Sequence, residues 1–286
     1  MDVSQRRACE VIGQSRMTQV YKTKQPDRDK ALTAEIKKLA KKHKRYGYRM
    51  TTAKLRQEGW NVNHKRVQRI WQKEGLQVPY RHKFKKAKGG SQNSCAVRKA
   101  GYINHVWTYD FMSDQTEDGR KLKLLTVLDE FTRESPVIEV GRSIRAKDVI
   151  AVLEYLFMVR GMPKFIRSDN GPEFIADAIK KWLKEKNIGT LYIAPGSPWE
   201  NGYIESFNGK LRDEILNREV FYSAKEAKVI VEDWRLDYNN HRPHSGLGYM
   251  TPAAFAASCN PPGSATLRLP DCRTKNTDNS LIEVGT

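Results

Sequence analysis

The hydrophobic periodicity of the chain changes once, near residue 101, and this change restricts the possible folds more than any other feature. Before residue 80, apolar residues recur at helical spacing, as Leu32, Ile36 and Leu39 do. After residue 101, short runs alternate in the manner of strands. Three antiparallel strands followed by alternating helices and strands predict an α/β fold. The predicted elements of this part are strands at 105–112, 121–131 and 135–141, a helix at 145–160, a strand at 164–169, a helix at 174–187, a strand at 189–194, and helices at 198–217 and 223–240.

Charge is distributed as unevenly as periodicity. Residues 1–100 hold 27 lysines and arginines against 7 aspartates and glutamates, whereas residues 101–286 hold 24 against 26. The whole chain of 286 residues has a formal net charge of +18. A half this basic predicts a polyanionic partner, either nucleic acid or an anionic membrane surface.

Cysteine spacing and hydropathy indicate the cellular compartment of the protein. The four cysteines, Cys9, Cys95, Cys259 and Cys272, form no close pair, which argues against a disulfide framework or a zinc knuckle. No segment resembles a signal peptide, and no apolar run approaches the ~18 residues that span a bilayer. We therefore expect a cytosolic protein that has no membrane partner.

The first 24 residues predict two short helices that meet at Gly13. Ser4 and Ser15 are the expected N-caps, because a serine hydroxyl accepts a hydrogen bond from the first helical turn. Four apolar side chains are predicted to face inward: Ala8, Val11, Ile12 and Val20.

A second helix–turn–helix is predicted within residues 25–80. Thr51 or Thr52 is expected to cap one helix, Gly59 to turn the chain, and Asn63 to cap the next helix. The last helix carries an apolar stripe of Val67, Ile70 and Trp71. Four basic side chains lie outside this stripe and are predicted to contact DNA, although the same pattern fits a solvated charged face: Lys65, Arg66, Arg69 and Lys73.

Residues 81–100 are basic, contain glycine and serine, and lack clear periodicity. They are predicted to form a linker that can also lie along DNA phosphates, with Lys83, Lys85 and Lys86 among the contacting side chains.

A glutamate stands apart from the apolar stripe of the helix predicted at 198–217. Ser197-Pro198-Trp199-Glu200 has the form of a capping box, which predicts the start of this helix. Ile204, Phe207, Leu211 and Ile215 cluster on one side of it. Glu205 lies on another side, among small polar residues, so a different molecule is expected to approach this face.

Two aspartates at strand positions complete the candidate acidic set. Asp110 lies in the first predicted strand, and Asp169 ends the strand at 164–169. Thirty-five residues separate Asp169 from Glu205, enough for one helix and one strand to return the chain to the same place. From the residues alone, Asp169 before Asn170-Gly171 fits equally well a turn residue that accepts backbone hydrogen bonds.

Several motifs together resemble DDE transposases and retroviral integrases. They are "WTYD" at 107–110, "SDNGPEF" at 168–174 and "SPWENGYIESFNGKLRDE" at 197–214. The similarity is to the downstream-frame (OrfB-type) transposases of a two-reading-frame family of bacterial insertion sequences, and it covers most of the chain. Met112 departs from the pattern, since relatives often have a small hydroxyl residue there. The zinc-binding histidine and cysteine module of retroviral integrases is also absent from the sequence.

The resemblance implies an RNase H-like catalytic core, a mixed five-stranded sheet with helices, in which Asp110, Asp169 and Glu205 are catalytic and bind metal. It implies two Mg²⁺ ions in each active site, with Mn²⁺ as a substitute, because Mg²⁺ favours carboxylate and phosphate oxygens. Arg212, seven residues after the glutamate, and Asn208 on the same face are expected to contact DNA. The segment containing Tyr238, Asn239, Arg242 and His244 matches a C-terminal family signature of unassigned role.

The expected function is to bind the terminal inverted repeats of a mobile element, to cut the DNA and to join it to target DNA. Double-stranded DNA is the predicted partner, in an assembly of at least two protomers, with a protein from an upstream reading frame as a further partner. The expected location is the bacterial cytoplasm, at the nucleoid. Two alternatives stay open: a DNA-binding regulator without catalysis, and an RNase H-like nuclease that cuts without joining.

The predicted domain organisation follows from these assignments. In chain order, it is a short helix–turn–helix at 1–24, a helix–turn–helix DNA-binding domain at 25–80, a basic linker at 81–100, the catalytic core at 101–222, a C-terminal helical extension at 223–258 and a flexible tail at 259–286.

Overall fold

The computed structural model describes residues 3–21, 26–77, 99–168, 173–192 and 201–259. The chain divides into two compact units. The helical unit comprises Met1–Leu55 and Trp60–Pro79, and the core unit comprises Arg56–Gly59 and Tyr80–Thr286. None of the described helices is long and apolar enough to cross a membrane.

Ten helices and five strands are described in these parts of the chain. The strands are β1 (Val106–Gln115), β2 (Lys121–Asp129), β3 (Val137–Gly141), β4 (Phe165–Ser168) and β5 (Gly189–Tyr192). The helices are α1 (Gln5–Val11), α2 (Arg16–Val20), α3 (Pro26–Lys42), α4 (Tyr48–Gln57), α5 (His64–Lys73), α6 (Ala146–Arg160), α7 (Glu173–Glu185), α8 (Gly202–Leu211), α9 (Ala224–Asn240) and α10 (Pro252–Cys259).

The core unit is built on one mixed sheet with the strand order β3-β2-β1-β4-β5. β1, β2 and β3 pair antiparallel, and β4 and β5 continue the sheet in parallel pairing. β1 lies in the middle, with an antiparallel neighbour on one side and a parallel neighbour on the other. This confirms the predicted mixed five-stranded sheet of an RNase H-like α/β core.

Alternation along β2 explains how the sheet carries a helical layer on each face. Leu124 and Leu128 pack with α8 and α9, while Leu125 and Val127 pack with α6 and α7. Because successive side chains of a strand point to opposite faces, a nearly continuous apolar run such as β2 fits a strand that is buried on both sides. Burial of both faces fixes the sheet and leaves its edges for polar side chains.

The helical unit has its own apolar core, in which α3, α4 and α5 contribute buried side chains: Leu32, Ile36, Leu39, Leu55, Val67 and Trp71. Asn63 caps α5, since its side chain accepts a hydrogen bond from the Lys65 backbone N–H at 2.9 Å. Gly59 turns the chain at φ +87°, a conformation that favours glycine. These two predictions are confirmed.

Two predictions for the helical unit are wrong. Thr51 and Thr52 cap no helix, because α4 begins earlier, at Tyr48, and both threonines are buried within it. The Thr52 hydroxyl instead donates to the Tyr48 carbonyl at 2.7 Å. In the N-terminal segment the predicted inward residues Val11, Ile12 and Val20 are exposed, since helices of seven and five residues offer little surface against which to bury them.

A hydrogen-bonded clasp joins α9 to the turn between β2 and β3. The Asn239 side chain donates to the Ser135 carbonyl at 2.8 Å and accepts from the Ser135 backbone N–H at 2.9 Å. Both residues are buried. One amide therefore satisfies both backbone groups of a residue that no strand pairs, which ties the C-terminal helix to the sheet.

The clasp predicts a difference between two adjacent asparagines. Asn239→Ala should lower the free energy of unfolding by about 1–3 kcal/mol, because it leaves the buried Ser135 N–H unpaired, although Arg235 still donates to the Ser135 carbonyl at 2.8 Å. Asn240→Ala is the matched control: Asn240 is exposed and its side chain donates only to the Leu236 carbonyl of its own helix, so a change within about 0.5 kcal/mol is expected. Urea unfolding of both variants measures the two values, and equal losses would contradict the clasp.

Candidate active site

Asp110 lies in the middle of β1, half-buried, with its carboxylate held in a defined orientation. One carboxylate oxygen, Oδ1, accepts from the Phe111 backbone N–H at 2.7 Å. The other, Oδ2, accepts from the side-chain amide of Asn208 at 2.8 Å. A strand therefore supplies the carboxylate, and helix α8 supplies the group that orients it.

Asn208 is itself fixed by a second strand. Its side-chain oxygen accepts from the Thr126 hydroxyl at 2.9 Å, and this contact is buried. Thr126 lies directly opposite Asp110 in the antiparallel register of β1 and β2. The Thr126 hydroxyl also lies 3.1 Å from the Asp110 backbone carbonyl. One buried amide thus joins α8 to a cross-strand pair.

A second amide anchors the start of the same helix. The Asn201 side-chain oxygen accepts from the Thr108 hydroxyl at 2.9 Å, in a contact between two buried side chains. Asn201 and Asn208 are seven residues apart, which returns them to within about 20° of one another around a helix. The face of α8 that carries both amides therefore follows β1.

Glu205 lies on this face, four residues after Asn201 and three before Asn208. At about 100° per residue it falls about 40° from the first amide and about 60° from the second. Glu205 is exposed, whereas Ile204, Phe207 and Leu211 are fully buried. This confirms the prediction that Glu205 stands off the apolar stripe, and it brings the glutamate-bearing face of α8 against the aspartate-bearing strand.

The third predicted acid, Asp169, lies outside the described residues, as does the predicted capping box at 197–200. β4 is described up to Ser168, and it runs parallel to β1 with Thr108 paired to Arg167. Within the described ranges, no three acidic, histidine or cysteine side chains are gathered as a metal site. Asp110 and Glu205 are the two predicted metal ligands that can be placed.

Comparison with known proteins identifies the family. Two integrase core domain models match residues 103–198 and 186–252, and an HTH-like domain model matches residues 26–84. The 31.7 kDa protein of insertion element IS407 from Burkholderia multivorans is 39% identical over 257 residues, which is 90% of this chain and 92% of that protein. The chain belongs to the integrase-core family of insertion-element transposases.

One further sequence relative and one solved structure are similar to the chain. The transposase for insertion sequence element IS904 of Lactococcus lactis is 28% identical over 246 residues, covering 82% of this chain and 96% of that protein. The solved catalytic core domain of HTLV-2 integrase in complex with magnesium is 17% identical and covers 55% of this chain and 99% of that chain, with a TM-score of 0.42. The HTH-like and integrase core domains together imply that the transposase binds DNA.

The helix that carries Glu205 changes its winding at Arg212, where five residues form a π-helical turn, Arg212–Leu216. The predicted helix to residue 217 therefore ends as an α-helix at Leu211. Arg212 is exposed, and its guanidinium donates to the Ser113 carbonyl of β1 at 3.2 Å. Single π-helical turns inside helices are rare and occur frequently at functional sites.

The C-terminal signature packs against this turn. Arg242 donates to the Glu214 carboxylate at 2.6 Å, and the Trp234 ring nitrogen donates to it at 3.0 Å. Tyr238 is buried with its ring edge-on to those of Phe207 and His244. The signature therefore packs against α8 and its π-helical turn, a role in packing that no local sequence pattern revealed.

The predicted DNA-binding residues separate into three groups. Lys65, Arg69 and Lys73 are exposed along α5. Arg66 is instead paired with Asp29 of α3, with its Nε donating at 2.9 Å, and Asn208 is buried with its amide joined to Thr126 and Asp110. Lys83, Lys85 and Lys86 lie outside the described residues. DNA contacts by these side chains stay predictions.

Sequence reasoning missed the polar groups that orient the site: Thr108, Thr126 and Asn201. The available signal was the seven-residue spacing of Asn201 and Asn208, which places two amides on one helical face. Asn208 was assigned to DNA, but its buried hydrogen bonds fit the positioning of Asp110 better than a direct contact with a phosphate.

Loss of the bridging amide should destabilise the transposase. Asn208→Ala removes one buried hydrogen bond, to Thr126, and one partly buried hydrogen bond, to Asp110, so the free energy of unfolding is expected to fall by about 1–3 kcal/mol. Asn217→Ala, at an exposed asparagine just after the π-helical turn, is the control and should change it by no more than about 0.5 kcal/mol. Urea unfolding compares them, and an unchanged Asn208→Ala variant would mean that the bridge contributes nothing to stability.

Burial of His244 predicts how the transposase responds to acid. Burial, followed by the charges of Arg242, Lys210 and Arg133, lowers the pKa of His244 to about 3. The unfolded chain binds a proton at this histidine below its ordinary pKa of about 6.5, whereas the folded chain does not, so stability is lost as the pH falls from about 6.5 towards 3.

His244→Gln should therefore flatten the pH dependence of the free energy of unfolding between about pH 6.5 and pH 4, measured by urea unfolding at several pH values. His241→Gln removes an exposed histidine three residues away and should keep the wild-type slope. If both variants follow the wild-type slope, the buried neutral state of His244 is wrong.

Proposed function

We propose that this transposase is a DDE-type polynucleotidyl transferase that cuts and joins DNA at the terminal inverted repeats of its element, with Asp110, Asp169 and Glu205 as its catalytic acids. The observation that carries the proposal is the 2.8 Å hydrogen bond from Asn208 to Asp110. It joins the helix that bears Glu205 to the strand that bears Asp110, although 94 residues separate these acids in the chain.

The described register supports the third acid. β4 runs parallel to β1, and its last residue is Ser168, immediately before Asp169. In this parallel register Thr108 pairs with Arg167, and Asp110 and Asp169 each follow two residues later. Continued by two residues, the register would bring Asp169 to the level of β1 that carries Asp110. We therefore propose that Asp169 joins Asp110 and Glu205 there.

The residues present suit Mg²⁺. Asp110 offers a carboxylate whose orientation is fixed by the Phe111 N–H and the Asn208 amide, and Glu205 offers an exposed carboxylate. Mg²⁺ favours carboxylate oxygens as ligands, at sites that leave room for its bound water molecules. We propose that the three acids hold two Mg²⁺ ions, with Mn²⁺ as a substitute. When bound, such a pair lowers the pKa of an attacking water or 3′-hydroxyl and stabilises the leaving oxygen.

The chain's own residues supply orientation. Asn208 and the Phe111 N–H fix the rotation of the Asp110 carboxylate before any ligand arrives, which limits the reorganisation needed on binding. Arg212 lies two helical turns after Glu205, exposed, where it is proposed to contact a DNA phosphate near the reacting one.

Recognition of the element's ends is assigned to the helical unit. Lys65, Arg69 and Lys73 recur every four residues on α5, so they form one exposed basic row away from the buried Val67 and Trp71. A row of this kind fits a helix placed in the major groove. Joining two ends requires at least two protomers on DNA, and a protein from an upstream reading frame is a further proposed partner.

Replacing any one of the three acids should abolish strand transfer. Asp110→Asn, Asp169→Asn and Glu205→Gln each remove one negative charge from the proposed metal site. We expect each to lose Mg²⁺-dependent joining of a labelled end duplex to target DNA while gel-shift binding of that duplex persists.

Asp233→Asn is the matched control, because it makes the same change at an exposed position of α9. It should join DNA as the wild type does. Undiminished joining by any of the three acid variants would contradict the proposal. Nicking without transfer of the labelled 3′-hydroxyl end would indicate a nuclease, and end binding without nicking would indicate a regulator.

A further inference from the structure

A second cluster of charged side chains lies on α8, away from the carboxylates. It consists of Arg133, Lys210, Arg242, His244 and Glu214, which we call the basic cluster. Its location follows from helical spacing: Tyr203, Phe207 and Lys210 recur at intervals of four and three, which places them on one face of α8. Lys210 lies about 140° around the helix from Glu205, so the basic cluster and the catalytic acids occupy different sides of α8.

Ring contacts connect the members of the basic cluster. The Arg133 guanidinium stacks on the Tyr203 ring, with its carbon 3.3 Å from the ring centre. On the neighbouring turn of α8, Phe207 meets Tyr238 edge-on at 4.8 Å, and Tyr238 meets His244 at 4.7 Å. Arg133, from the β2–β3 turn, and His244, from the segment after α9, therefore both approach the same face of α8.

Two buried nitrogens of the cluster have no hydrogen-bond partner in the described part of the chain. They are Nη1 of Arg133 and Nε2 of His244. His244 is more than nine-tenths buried. A buried polar atom without a partner costs about 1–3 kcal/mol, so a natural protein retains few of them unless a ligand or water pairs them.

Charge in the cluster is also unbalanced. Its three cations share one carboxylate of the cluster, Glu214, which Arg242 and Trp234 already bind. Arg133 also interacts with the Glu130 carboxylate, but Glu130 is itself paired with Arg167. The Lys210 ammonium donates to a neutral group, the Ser206 hydroxyl, at 3.2 Å. Burial, followed by the charge of Arg242, lowers the pKa of Lys210 to about 8 despite Glu214. The cluster therefore disfavours the protonated lysine that it holds at neutral pH.

The backbone conformation of Arg133 also supports a ligand site at the basic cluster. Arg133 has a φ of +64°, in the left-handed region that side chains other than glycine rarely adopt. Strain of this kind persists where the surrounding structure fixes it, and it concentrates at ligand sites. Here it directs a guanidinium onto Tyr203 and towards α8.

We propose that the basic cluster is a phosphate pocket in which Arg133, Lys210 and His244 receive one phosphodiester group of bound DNA. Arg133 and Lys210 supply charged donors, and a neutral imidazole can donate from Nε2. Arg133, Tyr203 and Lys210 are half-buried, which leaves an opening to solvent. The pocket rests on the proposed function for its DNA partner, but not on the catalytic acids.

Thermal unfolding of the full chain with inorganic phosphate, against chloride at equal ionic strength, tests the pocket. The Tm should rise with phosphate and level off after about 3–5 °C, as expected for one saturable site. Lys210→Met and Arg133→Gln should lose this rise, and Lys210→Arg should keep it. Lys228→Met is the matched control, at an exposed lysine of α9 paired with Glu139, and it should also keep it.

The same variant separates a ligand site from a purely structural role. Lys210→Met removes a buried charge that its neighbours disfavour, so without phosphate its Tm should equal or exceed that of the wild type. A structural lysine would give the opposite result. A lower Tm for Lys210→Met without phosphate, or an unchanged phosphate effect, would overturn the pocket.

DNA binding distinguishes the source of the phosphate. Lys210→Met should weaken binding of an end duplex by about tenfold, the loss of one charge-assisted hydrogen bond, and reduce the slope of log K against log salt by about one. Lys228→Met should change neither the affinity nor the salt slope.

Two other outcomes would give the pocket a different ligand. A lost phosphate effect with unchanged DNA binding would assign the pocket to a free phosphate ester. Lost self-association in sedimentation with unchanged DNA binding would assign it to an acidic group of a second copy. Either result overturns the DNA assignment.

Failure of the pocket and failure of the proposed catalysis are separable. Asp110→Asn should lose joining and keep the phosphate-dependent rise in Tm, because the acids lie on the other side of α8. If Asp110→Asn joins DNA normally, the catalytic proposal fails while the pocket stands.

Discussion

The bridge from Asn208 to Asp110 and Thr126 is the interaction on which the site depends. Apolar packing alone specifies the position of a helix on a sheet less sharply than buried hydrogen bonds do, because apolar cores tolerate rearrangements that conserve volume. Buried amides do not tolerate such rearrangements, because each displaced hydrogen bond leaves polar atoms unpaired in an apolar layer. Asn201 on Thr108 and Asn208 on Thr126 therefore fix the position of α8 along β1 at two points, two turns apart. Because Glu205 lies between Asn201 and Asn208 on α8, these two amides also fix the position of Glu205 relative to β1.

Other contacts in the core unit also hold α8 in position. The Glu214 carboxylate in the π-helical turn receives Arg242 and Trp234, and the Asn239 clasp holds α9 to the turn before β3. α8 is thus held against the sheet by its buried amides and apolar stripe, and against α9 and the segment after it by aromatic packing and an ion pair. The C-terminal extension is part of the catalytic core in this sense, because removing it would expose the apolar stripe of the helix that carries the glutamate.

Periodicity predicted the elements of the core unit well, because β2 and the apolar stripe of α8 are set by burial, which the sequence records directly. Periodicity predicted the structure less well where a helix is too short to bury its apolar residues or where a polar side chain bonds within its own helix. Val11 and Ile12 look like core residues, yet α1 is too short to cover them. Thr52 looks like a cap, but its hydroxyl bonds back along its own helix. The π-helical turn at Arg212 leaves no trace in a 3.6-residue pattern, and its Glu214 is paired with Arg242, 28 positions away.

The candidate acids illustrate the same limit. Glu205 was recognisable by its absence from the apolar stripe, and Asp110 by its place in a strand, but their convergence depends on three hydroxyl–amide and amide–carboxylate contacts between residues 82–98 positions apart. A single sequence gives no measure of such distant pairs. Asn208 was accordingly assigned outward, to DNA, when its amide faces inward.

The central position of β1 constrains how the protein folds. β1 pairs with β2 through a turn of a few residues, but with β4 only after a crossover through α6. Local pairing costs less loop entropy than the crossover, so the hairpin is expected to form first. If β1 paired with β2 one residue out of register, the Asp110 side chain would lie on the opposite face of the sheet, beside α6 and away from Asn208. Thr108, on the same strand, would then also face the apolar layer beside α6, so mispaired hairpins should reopen before the second half of the sheet is added.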